Sequence, residues 1–196
     1  MRSLLISILL NPAAGLSMLK GTGNTVTISR QHHAGNVSIS VENGASLSMG
    51  AGCVIGNLCV YALVKGVFIK VGERNGFNGL VWLVAHEASN LILGDDCLFA
   101  SDCSLSTSDV HKISDVSTGE RLNKAGDIVR GNRVWLARNV TVLRSSTISD
   151  DTVVGIGSVV KANFLQMCYL PGSLPALKRQ GSDGSRSGLL WDILYR

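Results

Sequence analysis

The chain has 196 residues, a formal net charge of +4, 16% charged residues and 22 glycines. That length suits one domain with a sizeable core, and the mild positive charge suits an anionic ligand such as a phosphorylated cofactor or an acidic glycan. No Lys/Arg cluster interleaved with aromatics is present, which argues against nucleic acid as a partner.

Leu4 to Leu10 is an apolar run behind Arg2, followed by Ala13-Ala14. It has the outline of a short signal peptide but cannot span a bilayer. A strand or helix packing on the first part of the fold is the expectation, and residues 1–25, which show no repeat, are read as an N-terminal cap. Alternating segments follow at Val26-Thr27-Ile28, Val37 to Val41 and Leu47-Ser48-Met49. Met49-Gly50, Val71-Gly72 and Leu93-Gly94 then recur at a spacing of 22.

From Leu93 a six-residue phase runs through Phe99 and Leu105 to His111. Lys112 to Asp127 breaks it: the stretch is polar and holds Gly119 and Gly126. In-phase residues flank it, so residues 112–127 are predicted to leave the body as a loop while the chain closes beneath. Long excursions from a rigid repeat usually serve function.

The clearest pattern runs from Arg130 to Phe164. Cut every six residues, its first position holds Arg130, Leu136, Val142, Ile148, Val154 and Val160, and its fifth holds Val134, Val140, Ser146, Thr152, Ser158 and Phe164. Neither a helix of period 3.6 nor a strand of period 2 gives this. A parallel β-helix does, with one short strand and one corner per hexad. The aliphatic points into a prism, the fifth residue is small enough to sit inside the corner, and three hexads close a triangular coil. The wider spacing of the early coils means a few residues inserted at corners. Low charge and abundant glycine fit such a solenoid. The β-helix is predicted over residues 26–165. Beyond Phe164 the phase is lost, so 166–196, with LPGSLPALKRQ at 170–180 and a Gly/Ser-rich stretch at 181–188, is read as a C-terminal extension.

Five cysteines with no CxxC exclude the usual zinc and thioredoxin-like patterns. Cys53 and Cys59 lie six apart, as do Cys97 and Cys103, and all four are read as small buried corner residues. Reduced thiols suit the cytosol. His111 falls on an inward phase position directly before the loop. By itself such a His is either a hydrogen-bonded structural group or a functional one.

The repeats, the Ser158-Val159-Val160 run after Gly155-Ile156-Gly157, Val134-Trp135, and the stretch Ser108-Asp109-Val110-His111-Lys112-Ile113 together resemble the hexapeptide-repeat acyltransferases. Within that family they resemble the branch that O-acetylates sugars and capsular polysaccharides. The likeness covers roughly Leu47 to Lys178. It implies an all-β fold, a left-handed parallel β-helix with a protruding loop and a short C-terminal extension. The left hand comes from the family, since right-handed crossovers are the general rule.

The resemblance also implies an activity: transfer of acetyl from acetyl-CoA to a hydroxyl of a sugar or cell-surface polysaccharide, with no metal. His111 would be the general base. Asp109 or Asp115 would orient its imidazole, although Asp115 can equally cap a turn. Trp135 would stand at the acceptor mouth as oxyanion donor, sugar platform or packing residue. Ala137, Gly155 and Ser158 would let the pantetheine arm approach, and Lys161, Lys178 and Arg179 would meet the nucleotide phosphates. The family forms trimers, so a homotrimer is expected, with His111 and Trp135 meeting across a subunit boundary. A cytoplasmic setting follows, at the inner face of the membrane if glycan assembly is the context, without a transmembrane segment.

Some positions depart from the family pattern. Arg130 stands where an aliphatic opens the hexad, Ala137 where Gly is usual, and Leu177 where a basic residue often follows Pro-Ala. Ala162 to Tyr169 lacks the Asp and prolines that commonly follow the Ser-Val-Val run. Other readings fare differently. A three-His metal site is not available from His32, His33, His86 and His111 at these spacings. An antibiotic O-acetyltransferase shares the fold, base and donor and differs in the acceptor pocket. A non-catalytic β-solenoid scaffold leaves His111 unexplained.

Overall fold

Strands as short as two to four residues cannot hold together alone, and here each stacks in parallel register on the equivalent strand of the next coil. The computed structural model describes residues 20–161 in full, together with strand segments at Ser7–Ile8, Met18–Lys20, Asn163–Phe164 and Tyr169–Leu170. The early coils contribute β1 (Ser7–Ile8), β2 (Met18–Lys20), β3 (Thr25–Ile28), β4 (His33–Glu42), β5 (Ser46–Met49), β6 (Val54–Ala62), β7 (Phe68–Val71) and β8 (Gly76–Ala85). The middle coil adds β9 (Asn90–Leu93), β10 (Leu98–Phe99) and β11 (Cys103–Ser106). Above the loop come β12 (Ile128–Arg130), β13 (Trp135–Leu136), β14 (Thr141–Val142), β15 (Ser146–Ile148), β16 (Val153–Val154), β17 (Val159–Val160), β18 (Asn163–Phe164) and β19 (Tyr169–Leu170). No helix occurs among the described residues, so none is long and apolar enough to cross a membrane.

Three faces result. One is the eight-stranded stack β1-β3-β5-β7-β9-β12-β15-β18. The other two belong to one eleven-stranded sheet that folds round a corner. The long strands β4, β6 and β8 run across that corner. Higher up, each is replaced by a pair: β8 pairs with β10 through Gly76-Phe77 and with β11 through Val81–Val84. Parallel pairing reaches below residue 26, where Ser7–Ile8 lies on β3 and Met18–Lys20 on β4. The apolar run at 4–10 therefore contains a strand. Partners on successive coils are 20 to 23 residues apart low in the stack, 37 across the excursion and 18 above it.

The inward positions form continuous apolar columns. On the first face they are Ile28, Met49, Val71, Leu93 and Ile148; on the second Ile55, Phe77, Phe99, Leu136 and Val154; on the third Ile39, Val60, Leu83, Leu105, Val142 and Val160, all buried. Burying each such side chain stabilises the fold by about 1.5–3 kcal/mol, which is why the six-residue phase is readable. The corner after the first face stacks too tightly for side chains. A Cβ on Gly72 would lie 2.5 Å from the Gly94 carbonyl oxygen, and one on Gly94 2.5 Å from that of Gly131.

One expectation changes and one departure from the family pattern is explained. Cys53, Cys97 and Cys103 are buried, but Cys59 is half-exposed. Leu58 and Val60 take the inward positions beside it, because the pairing of β6 with β8 shifts between Ile55 and Asn57 and moves the phase. The six-residue count from Cys53 thus lands on the outer side. Secondly, Arg130 points inward like the aliphatics it replaces, 2% exposed and in register between Leu93 and Ile148. Its guanidinium carbon sits 4.1 Å from the Phe99 ring centroid, and Phe99 stacks on Phe77 at 4.6 Å. Nη2 donates to the Val134 carbonyl at 3.3 Å, while Nε and Nη1 have no hydrogen-bond partner among the described residues. Cation–π attraction offsets part of the desolvation of a charge that Arg cannot shed.

Candidate active site

The third face ends in Thr107 and Ser108, both buried, and they tie the exit of the loop to the coil beneath. Thr107 Oγ1 accepts from the His86 amide at 3.1 Å and from Ser89 Oγ at 2.7 Å. Ser108 Oγ donates to Glu87 at 2.6 Å and accepts the Val110 amide at 2.9 Å. The coil closes under the excursion where the Gly126 amide donates to the Thr107 carbonyl at 3.0 Å and the Ser145 amide to the Gly126 carbonyl at 3.3 Å.

Between these points the chain turns sharply. The His111 amide donates to the Asp109 carbonyl at 2.6 Å, and Val110 between them has φ of 63°. This is a γ-turn with its central residue at positive φ, the rare and strained form, and a β-branched residue there is a genuine outlier. His111 consequently does not occupy an inward position. Leu105 is the last inward aliphatic, the chain has already left the prism, and His111 is exposed.

Neither acidic candidate hydrogen-bonds the imidazole. Asp109 accepts from Arg144 Nε at 2.9 Å and Asn123 Nδ2 at 3.1 Å. These bonds, Arg144 first, hold its carboxyl below the usual range, and the charge of Lys161 adds to them. Asp115 caps a turn of the loop itself. Its Oδ1 accepts from Ser117 Oγ at 2.5 Å, from the Ser117 and Thr118 amides at 2.8 Å, and from Thr118 Oγ1. Ser117 is the largest cause of its pKa of about 2.

Two groups that the sequence reading missed organise the loop. Arg121 makes a bidentate pair with Glu87 at 2.6 and 2.7 Å, and with Ser108 it lowers the Glu87 carboxyl to about 2. Asn123, 2% exposed, accepts the Ile113 amide at 2.7 Å and donates to the His111 carbonyl at 2.7 Å besides its bond to Asp109. Neither residue has a phase to betray it. A signal was available only in kind, as Arg and Asn spaced two apart in a polar segment.

Trp135 opens β13 on the second face, paired in register with Leu98 below and Val153 above. It is half-buried, and its Nε1 is a buried donor with no partner among the described residues. Within one chain His111 and Trp135 therefore lie on different faces. Ala137, Gly155 and Ser158 gather at the corner between second and third faces, where the Ala137 amide bonds the Val154 carbonyl and the Thr141 amide that of Ser158. Lys161 instead follows β17 at the corner between third and first faces, on the side of Asp109 and Arg144. Lys178, Arg179, Leu177 and the Gly172–Ala176 segment lie outside the described residues.

Parallel coils, stacked corners and a single long excursion among the described residues define a parallel β-solenoid of the hexapeptide-repeat kind, and superposition relates it closely to the left-handed solenoid of known polysaccharide O-acetyltransferases. The structure of the polySia specific acetyltransferase NeuO superposes with a TM-score of 0.62 at 20% identity, covering 90% of this chain and 86% of that one. That of the polysialic acid O-acetyltransferase OatWY superposes with a TM-score of 0.60 at 23% identity over 92% and 98%. In sequence, the chain is 33% identical over 109 residues to a polysialic acid O-acetyltransferase of Escherichia coli O1:K1 / APEC, covering 56% of this chain and 35% of that protein. It is 40% identical over 58 residues to one of Neisseria meningitidis, covering 30% and 27%. It is 28% identical over 141 residues to a putative lipopolysaccharide biosynthesis O-acetyl transferase, WbbJ, of Escherichia coli K12, covering 67% and 70%. The match thus spans 35% of the length of one polysialic acid enzyme and 27% of the other. No family model matches it.

Proposed function

We propose that this protein is an acetyl-CoA-dependent O-acetyltransferase acting on a hydroxyl of a sugar in a cell-surface polysaccharide, with His111 as general base. The observation that carries the reading is the exposed His111, presented by a strained and heavily hydrogen-bonded turn where a long loop leaves a rigid prism. An alcohol is a poor nucleophile at neutral pH. The imidazole takes its proton as the sugar oxygen attacks the thioester carbonyl. The tetrahedral oxyanion then collapses, the carbon–sulfur bond breaks, and the imidazolium returns the proton to the departing thiolate. The products are the O-acetyl sugar and free CoA thiol.

The orphaned Trp135 Nε1 suits two tasks, donation to the oxyanion and stacking of its ring on a sugar. His111 and Trp135 lie on different faces of one chain, so the site is completed between subunits of a cyclic trimer. Small residues at the Ala137–Gly155 corner leave room for an extended, amide-bearing pantetheine arm, and Lys161 and the basic residues of the tail stand for its phosphates. Acidic glycans of the kind named for the relatives are the acceptor class that the net charge of +4 favours.

The test is release of thiol from acetyl-CoA in the presence of a panel of acidic and neutral glycans, with mass spectrometry of the glycan. Acceptor-dependent release with an added acetyl ester supports the proposal. No release, with no CoA binding by calorimetry, would leave a solenoid scaffold.

A further inference from the structure

We infer that Asn123 is a positioning residue for His111, holding shut the strained Asp109–Val110–His111 turn from the far end of the loop. This rests on the reading of His111 as the base. Three bonds of one side chain bracket that residue. Asn123 Nδ2 reaches the Asp109 carboxylate before it at 3.1 Å and the carbonyl of His111 itself at 2.7 Å, and Oδ1 takes the Ile113 amide beyond it at 2.7 Å. The side chain is 2% exposed and fully engaged, so its loss would take one hydrogen-bond partner each from the Asp109 carboxylate, the His111 carbonyl and the Ile113 amide, on both sides of the turn.

The turn needs such a clamp. Val110 is 50% exposed, so no packing holds it at its positive φ. A strained backbone persists only where its surroundings over-determine it. On the near side that is done by Ser108 Oγ on the Val110 amide and Arg144 on Asp109. On the far side it is done by Asn123, itself braced where Arg121 Nε contacts Oδ1 at 3.3 Å while gripping Glu87. Glu87, Arg121, Asn123 and Asp109 form one hydrogen-bonded chain from the coil beneath to the residue two before the base.

A cycle of Asn123→Ala, Val110→Gly and the double variant tests the clamp, because glycine adopts positive φ without strain and the turn should then hold unaided. Asn123→Ala is expected to lower kcat about 100-fold, the scale of a small misplacement of a reacting group, with KM for acetyl-CoA unchanged. Adding Val110→Gly should recover at least about tenfold of that loss, measured against Val110→Gly alone. Hydrogen exchange of the His111 amide, which reads the turn without any activity, should quicken in Asn123→Ala and slow again in the double variant. Wild-type kcat in Asn123→Ala would overturn the inference. So would a loss that glycine does not recover, or amide exchange indifferent to both changes. A wild type inert toward every acceptor would sink the proposed activity, while the amide exchange would still decide whether Asn123 clamps the turn.

Discussion

All three corners of the prism carry residues at positive φ, and two of them handle these in opposite ways. At the corner after the first face, Arg74, Asp96, Arg133 and Asp151 have φ between 53° and 58°. Their side chains pair up the stack: Arg74 grips Asp96 at 2.7 and 2.9 Å, and Arg133 grips Asp151 at the same distances. At the corner after the third face Asn43, Glu87, Val110 and Ser145 are at positive φ; of these Val110 is the aliphatic one, its side chain offers no polar group to pair, and the polar network holds the backbone around it. The first corner uses unusual backbone to stack coils, and its side chains support that same stacking. The second spends its hydrogen bonds on presenting one exposed His. Strain offset by its own side chain is architecture; strain held from outside marks a site.

The first corner should be the more costly to break. Gly94→Ala drives a methyl toward the Gly131 carbonyl, and overpacking of this kind costs about 1–3 kcal/mol. A lower urea midpoint with an unchanged slope would report it. Arg130, which leads into that corner, should respond the other way. Arg130→Met replaces a buried charge with two unpartnered nitrogens by an apolar side chain of similar length, and a gain of about 1–4 kcal/mol is expected from such exchanges. A fall in stability would mean that the Phe99 contact outweighs the desolvation.

The smallest effect is local to the second corner. Glu87 is held at about 2, chiefly by Arg121, against an ordinary value of 4.5. A depressed acid contributes its stabilisation fully above pH 4.5 and loses it as pH falls toward 2. Limited proteolysis within 112–127 should therefore accelerate over that window. Glu87→Gln should show a more open loop already at neutral pH and a smaller step below it, the one left to Asp109 and Asp115. A wild-type loop equally resistant at both ends of the window would contradict the anchoring role.

How much of this the sequence disclosed follows from where periodicity exists. Leu136, Val142, Ile148, Val154 and Val160 were legible because each must fill the same inward slot on successive coils. Cys59 was misplaced because a shift in pairing at Ile55–Asn57 moves the phase without changing composition. His111 stood out as an inward residue, yet the structure puts it outside the prism on a turn. Its importance was read through the Ser-Asp-x-His-x-Ile pattern, not through the phase. Asn123 and Arg121 were invisible, since a loop has no repeat. The Arg144 that engages Asp109 is 35 residues away in the chain, a pairing that only the stacking of coils creates.

The measurement closest to the centre of this account compares wild type with His111→Ala for acceptor-dependent release of thiol from acetyl-CoA, alongside their thermal midpoints. The account predicts a loss of about 1,000-fold, within the range of general base catalysis, and an unchanged midpoint, because the exposed imidazole makes no hydrogen bond to the described residues. Equal rates in the two proteins would remove His111 from the chemistry, and the second corner would then be a corner like the first.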